Sequence, residues 1–119
     1  MRDLSNVARG RWGEQRAARH LERAGLEIID RNWRSPERYV GGELDLIACV
    51  DDLVVFCEVK ARKRSGFGGA ASAVDDRKQQ QIRQLAESWL RLNGERFERV
   101  RFDVVAIDGL ELAHLEAAF

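Results

Sequence analysis

Cysteine and proline are nearly absent from this chain. Its two cysteines, Cys49 and Cys57, form no C-x-x-C pair and stand at no metal-ligand spacing from a histidine, which argues against a zinc site. Both fall in strand-like segments, on opposite faces of one predicted hairpin, where they cannot bridge each other and read as small core residues. The single proline, Pro36, lies in a short polar loop. No apolar run approaches the roughly 18 to 20 residues that a membrane-spanning helix needs. The opening MRDLSNVARGRWGEQ has neither an apolar h-region nor a small-residue cleavage site, so the expected location is the cytoplasm, with no membrane partner. Net charge is missing too. The 20 basic and 20 acidic residues cancel, unlike the strongly basic balance of a tight nonspecific DNA binder. No repeat, low-complexity tract or linker divides the 119 residues, so a single domain over 1–119 is expected, large enough to bury a core.

The cancelling charges are not evenly spread. Residues 1–40 carry nine basic and six acidic groups and residues 60–101 carry eleven and five, whereas 41–59 carry five acids and no base. An acidic centre between basic flanks suits a metal-binding cluster in a surface that meets polyanions; a neutral protein with randomly placed charges also looks blocky. Apolar periodicity and turn signals predict a helix over 7–24 stopped by Gly25, a strand over 26–33, strands over 43–50 and 53–62, a helix over 76–92 ended by Asn93-Gly94, and strands over 100–107 and 110–115 around an Asp108-Gly109 turn.

Only Asp51 and Asp52 separate the second and third strands, which predicts a hairpin. Counting outward from that turn places Asp45 opposite Glu58 and Glu43 opposite Lys60. By alternation Glu43, Asp45, Ile47 and Cys49 share a face with Val54, Phe56, Glu58 and Lys60, and the other face, from Leu44 and Leu46 to Val59, is entirely apolar. Two carboxylates directly opposite each other beside Ile47 and Phe56 repel. Either that end of the hairpin is solvated, or a cation joins Lys60 in compensating it; a hard divalent ion suits oxygen ligands. On the first helix, Gly10, Glu14, Ala17 and Leu21 recur at spacings of four, three and four, which aligns Glu14 with core-facing positions. Glu14 then either completes the cluster, snorkels to water, or pairs with a neighbour such as Arg11. Gly10 and Gly13 beside it would allow close approach to the sheet.

Phosphodiester hydrolysis needs such a set. Mg²⁺ held by Asp45 and Glu58, with Mn²⁺ able to substitute, would neutralise charge and activate a water, and Lys60 would stabilise charge growing on the phosphate oxygens.

The stretch GELDLIACVDDLVVFCEVKARKR resembles the D-x(n)-E-x-K core of the PD-(D/E)XK, or restriction-endonuclease-like, superfamily. With RGRWGEQRAARHLERAGLEIIDRNWR before it and GFGGAASAVDDRKQQQIRQLAESWL and RFDVVAID after it, nearly the whole chain resembles the YraN-type bacterial family, similar in outline to archaeal Holliday-junction resolvases. The resemblance implies an α/β fold with an αβββαβ core and a mixed central sheet flanked by helices, here with an extra C-terminal strand. It implies Asp45 and Glu58 as metal ligands, Lys60 as the catalytic lysine and Glu14 as a helix-borne acid completing the site. Leu44 stands where the superfamily's name has proline. Ala70 and Ser72 stand where the YraN-type pattern often has proline and glutamate, so no role of that acid carries over.

Around this core, Arg11, Arg62, Lys63, Arg64 and Lys78 are candidate phosphate contacts, although basic strand and helix ends are also commonly just solvated. The GFGG loop lacks the G-K-[ST] ending of a phosphate-binding P-loop. His20 and His114 show no triad arrangement, and Trp12, Trp33 and Trp89 are expected in the core. The function expected is a metal-dependent endonuclease acting on DNA, on branched or structured substrates in repair or recombination. The alternative is a nucleic-acid-binding module, or a partner-dependent subunit, with little turnover of its own. A homodimer is expected from the exposed edge strands of a small sheet.

Overall fold

The computed structural model describes residues 4–62, 74–93 and 96–119. The glycine-rich loop, Lys63, Arg64 and Gly94 lie outside the described residues. Helix α1 (Leu4–Arg23) begins before the predicted residue 7 and closes in a Schellman arrangement, with the Gly25 N–H donating to the Glu22 carbonyl and the Leu26 N–H to the Leu21 carbonyl, each at 3.0 Å. Then follow β1 (Glu27–Trp33), β2 (Leu44–Val50), β3 (Leu53–Arg62), α2 (Asp76–Asn93), β4 (Arg99–Asp108) and β5 (Glu111–Leu115). The strands form one mixed sheet in chain order. Every neighbouring pair is antiparallel except β3 and β4, whose parallel pairing requires the long crossover that contains α2. This is the expected restriction-endonuclease-like α/β core with an added C-terminal strand.

Each face of the sheet is covered. Ala17, Ala18 and Leu21 of α1 pack on Leu46, Val55, Cys57, Val105 and Ile107, while Ile82, Leu85 and Trp89 of α2 pack on Ile47, Val54, Phe56 and Val104. Burial on both faces explains why β2 and β3 read as almost continuous apolar runs. Gly13 sets the seating of α1: a Cβ there would lie 2.8 Å from the Ala61 Cβ, closer than two carbons can sit. Gly10, expected to share that role, has nothing within 4 Å of its would-be Cβ.

The β2–β3 register is the predicted one. Val50 pairs with Leu53 and Leu46 with Cys57 around the Asp51-Asp52 turn, where Asp51 takes φ 52°, a left-handed value that aspartate tolerates. The last hairpin is displaced by one residue. Asp108 pairs with Glu111, so the loop is Gly109-Leu110 and Gly109 (φ 62°) fills its first position. β5 is tied down from beneath by Asp103, a fully buried carboxylate. It accepts from both Nε and Nη2 of Arg101 at 2.8 Å, lies 2.7 Å from His114 Nε2, and accepts from the Ala117 N–H at 3.1 Å. Both cysteines are buried and free, and no helix among the described residues is long and apolar enough to cross a membrane.

Candidate active site

The predicted alternation of β2 fails at its first residue. Leu44, expected on the same face as Leu46, packs instead in the α2-side cluster, and so does Trp33, its partner on β1. The switch coincides with Asn32, which takes φ 47° inside β1 and turns the end of that strand over. Asp45 therefore sits between a residue facing one helix and a residue facing the other. The next hydrogen-bonded pair in register would join Leu44 to Val59. Instead, the Val59 N–H donates to Asp45 Oδ2 at 2.8 Å, and a side chain takes the place of a ladder carbonyl.

From that position Asp45 meets acids from three directions. It stands beside Glu58, which is buried at 6% exposure and raises the Asp45 pKa, and one oxygen each of Asp45, Glu14 and Glu43 lie within 4.8 Å of one another. Burial, then the hydrogen bond and charge of Glu58, push the Asp45 carboxyl up to about 8, against a smaller downward pull from the Val59 N–H and Lys78. Burial also raises Glu14, and the charges of Asp45 and Glu43 add to it, while a hydrogen bond from Asn32 opposes the rise.

Asn32 is the organiser that sequence reasoning missed. Its Nδ2 donates to Glu14 Oε2 at 2.9 Å and to Glu43 Oε1 at 3.1 Å, joining α1 to the segment before β2. Glu43 does not lie opposite Lys60 on the ladder. It precedes β2 and also pairs with Arg34 at 3.2 Å. Gly42 delivers it there: φ is 89°, and a Cβ would come within 2.6 Å of Gln81 Nε2 on α2. Neither Asn32 nor Glu43 carries a local sequence signal for this role, because a left-handed asparagine inside a strand is imposed by tertiary contacts.

Among the described residues Glu58 pairs with one cation, Lys78, with Nζ 3.7 Å from Oε2. Lys60 is half-buried on β3 beside Ala106 of β4, and among the described residues it forms no ion pair. Arg11 is exposed and lines a cavity of about 310 Å³ with Glu14, Gln15, Arg31 and Asn32. A larger one, about 550 Å³, lies on the α2 side along Arg77, Lys78, Gln81 and Gln84. Arg62 is exposed at the far end of β3. Of the tryptophans, Trp89 is buried and Trp33 partly so, but Trp12 is 41% exposed, contrary to its expected core placement.

The order helix, three strands, helix, two strands is the αβββαβ core with an extra strand that the YraN-type resemblance implies. Residues 13–107 match the family described as "Uncharacterised protein family UPF0102". The chain belongs to that family. Among UPF0102 relatives, one from Rhodococcus jostii (strain RHA1) is 57% identical over 102 residues, covering 86% of this chain and 83% of its own. One from Frankia casuarinae is 44% identical over 117 residues, covering 94% and 96%, and one from Mycobacterium tuberculosis (strain ATCC 25177 / H37Ra) is 44% identical over 109 residues, covering 90% and 82%. The matched UPF0102 span contains Glu14, Asn32, Glu43, Asp45, Glu58, Lys60 and Lys78.

Proposed function

We propose that this UPF0102 protein is a cytoplasmic, divalent-metal-dependent endonuclease that hydrolyses DNA phosphodiesters. The observation that carries this reading is the acidic cluster itself: Asp45 and Glu58, from adjacent strands, interact at the edge of a core, and Glu14 and Glu43 bring carboxylate oxygens within 4.8 Å of Asp45. Without a cation Asp45 holds a proton up to about pH 8. That is an unfavourable state for so many acids, and a hard cation relieves it better than one proton does. The donor set fits Mg²⁺ or Mn²⁺, being all carboxylate oxygen with no thiolate or imidazole.

Asp45, Glu58 and Glu14 are the residues that would hold the ion, with Glu43 available as a fourth oxygen donor. When bound, a divalent ion neutralises the phosphate and lowers the pKa of attacking water. The protein's own side chains do the rest. Val59 N–H fixes the Asp45 carboxylate, and Asn32 fixes Glu14 and Glu43, so the donors are oriented before substrate arrives. Lys60, two residues from Glu58 on the same strand, presents positive charge to the phosphate oxygens as it grows negative there. Arg11 and Arg31 on one side, Lys78 on the other and Arg62 at the end of β3 position the backbone, with Lys63 and Arg64, which follow in sequence, as further phosphate contacts.

A second reading has one observation in its favour. Lys78 already pairs with Glu58, and a proton satisfies Asp45, so the cluster can exist without metal in a module that binds nucleic acid and does not cut it. Incubating the pure protein with single-stranded, duplex, flapped and four-way DNA in Mg²⁺ or Mn²⁺, with Lys60→Ala and a chelator as controls, separates the two. Cleavage lost in both controls is expected. No cleavage, together with no calorimetric binding of either ion, would leave the binding module as the function.

A further inference from the structure

Away from the carboxylates, α1 carries a second polar stripe. Trp12, Arg16, Arg19 and Arg23 follow one another at spacings of four, three and four, so they stack along one flank of the helix. With Gln15, and with Leu110 from the β4–β5 loop, they line a groove of about 410 Å³ that contains no acid. None of the three arginines forms an ion pair among the described residues. The Arg16 guanidinium lies 5.4 Å from the centre of the Trp12 ring, and its Nη1 is buried without an acceptor. A buried guanidinium donor left unpaired is costly, and a small turn of the Arg16 side chain toward an anion in the groove would relieve it. The positive field is felt nearby. His20 on the same helix is held below the usual imidazole range, first by burial, then by His114 and by the charges of Arg23 and Arg16.

We infer that this groove is a second contact site for nucleic acid, taking the phosphates and one base of a single strand that runs over α1 from the carboxylate centre. Gln15 lines both this groove and the cavity that Glu14 lines, so the two adjoin at that side chain on α1. From Glu14 to Arg23 the helix rises about 13 Å, a distance that a short run of nucleotides covers. The exposed Trp12 ring offers a stacking surface that a base-paired strand could not use, which selects single-stranded over duplex partners. The inference rests on the nucleic-acid reading of the carboxylate site and adds where a flanking strand goes.

The test is fluorescence anisotropy in a chelator, with a labelled single-stranded oligonucleotide of about 15 nucleotides, long enough to fill one such site. Arg19 and Arg23 are exposed, so the double variant Arg19→Gln/Arg23→Gln should fold normally. It should bind at least about tenfold more weakly, with a salt slope shallower by about 1.4 for two lost phosphate contacts. Trp12→Ala should weaken single-strand binding at least about fivefold and leave duplex binding unchanged. Wild-type affinity in the double variant would overturn the inference, as would equal losses on duplex, or displacement of the oligonucleotide by polyglutamate at the same concentration as unlabelled strand. Because binding is read without metal, absent cleavage or absent ion binding would sink the nuclease reading alone and leave this result standing.

Discussion

At the scale of single residues, two glycines on one helix make opposite predictions. Gly13→Ala drives a methyl into the Ala61 Cβ, which has no flexible end to swing aside, so a loss of about 1 to 3 kcal/mol is expected. Gly10→Ala meets open space in an exposed helical position and should be stabilising by up to about 1 kcal/mol. Urea denaturation of the two variants checks both, and a gain from Gly13→Ala would contradict the close seating of α1. Asp45 makes a pH prediction. Its carboxyl holds a proton to about 8 in the folded protein against 3.8 as a free side chain. The stability this group contributes is thus fully present below pH 3.8 and is lost as pH rises through 8. In a chelator, wild type should fall relative to Asp45→Asn between about pH 5 and pH 8, by an amount on the order of a few kcal/mol. Adding Mg²⁺ should reverse the trend in wild type only. Parallel curves for the two proteins would show that Asp45 is ionised in the folded state without a cation.

At the scale of elements, the sequence was most informative where local chemistry decides the outcome. The two aspartates between β2 and β3 leave one short turn, and the ladder from Val50–Leu53 to Leu46–Cys57 follows from counting. That count alone brings Asp45 beside Glu58. It could not foresee the turnover at Asn32, because the positive φ there answers to Glu14 on α1 and Glu43 ahead of β2, residues 18 and 11 positions away. Hence the misplacement of Leu44 and the missed contribution of Glu43. The one-residue displacement of the last turn has a simpler cause. Asp-Gly and Gly-Leu both fit a two-residue loop, and only the pairing of β4 with β5 chooses between them. β5 itself depends on Asp103. Asp103→Ala leaves Arg101 and His114 without their shared partner and should cost about 3 to 5 kcal/mol in chemical denaturation. Metal binding by the variant should match wild type under conditions where it remains folded; loss of ion binding there would tie β5 to the site.

At the scale of the molecule, the open sheet has two edges of unequal character. β1 carries a bulge between Ile28 and Asp30, which blunts it as a pairing surface, whereas β5 is short and regular, with Leu115 40% exposed. The expected homodimer should therefore form through β5. Light scattering up to high micromolar protein should give twice the chain mass, and a monomer mass at every concentration would refute it. The carboxylate centre belongs to neither core alone. Asp45 lies where the α1-side and α2-side clusters meet, with Glu14 brought by one helix and Lys78 by the other. Loosening either helix should degrade the site well before the sheet unfolds.

The unequal burial of the three tryptophans gives the protein an optical readout of its own. Trp89 is enclosed with Phe56 and Phe97 beneath α2, Trp33 is partly covered beside the turnover of β1, and Trp12 stands at the rim of the arginine groove. Iodide should quench the Trp12 emission first and the Trp89 emission last. A strand lying in the groove should shield Trp12 from iodide while leaving Trp89 as it was, so occupancy of the outer flank of α1 can be followed in unlabelled protein, one ring at a time.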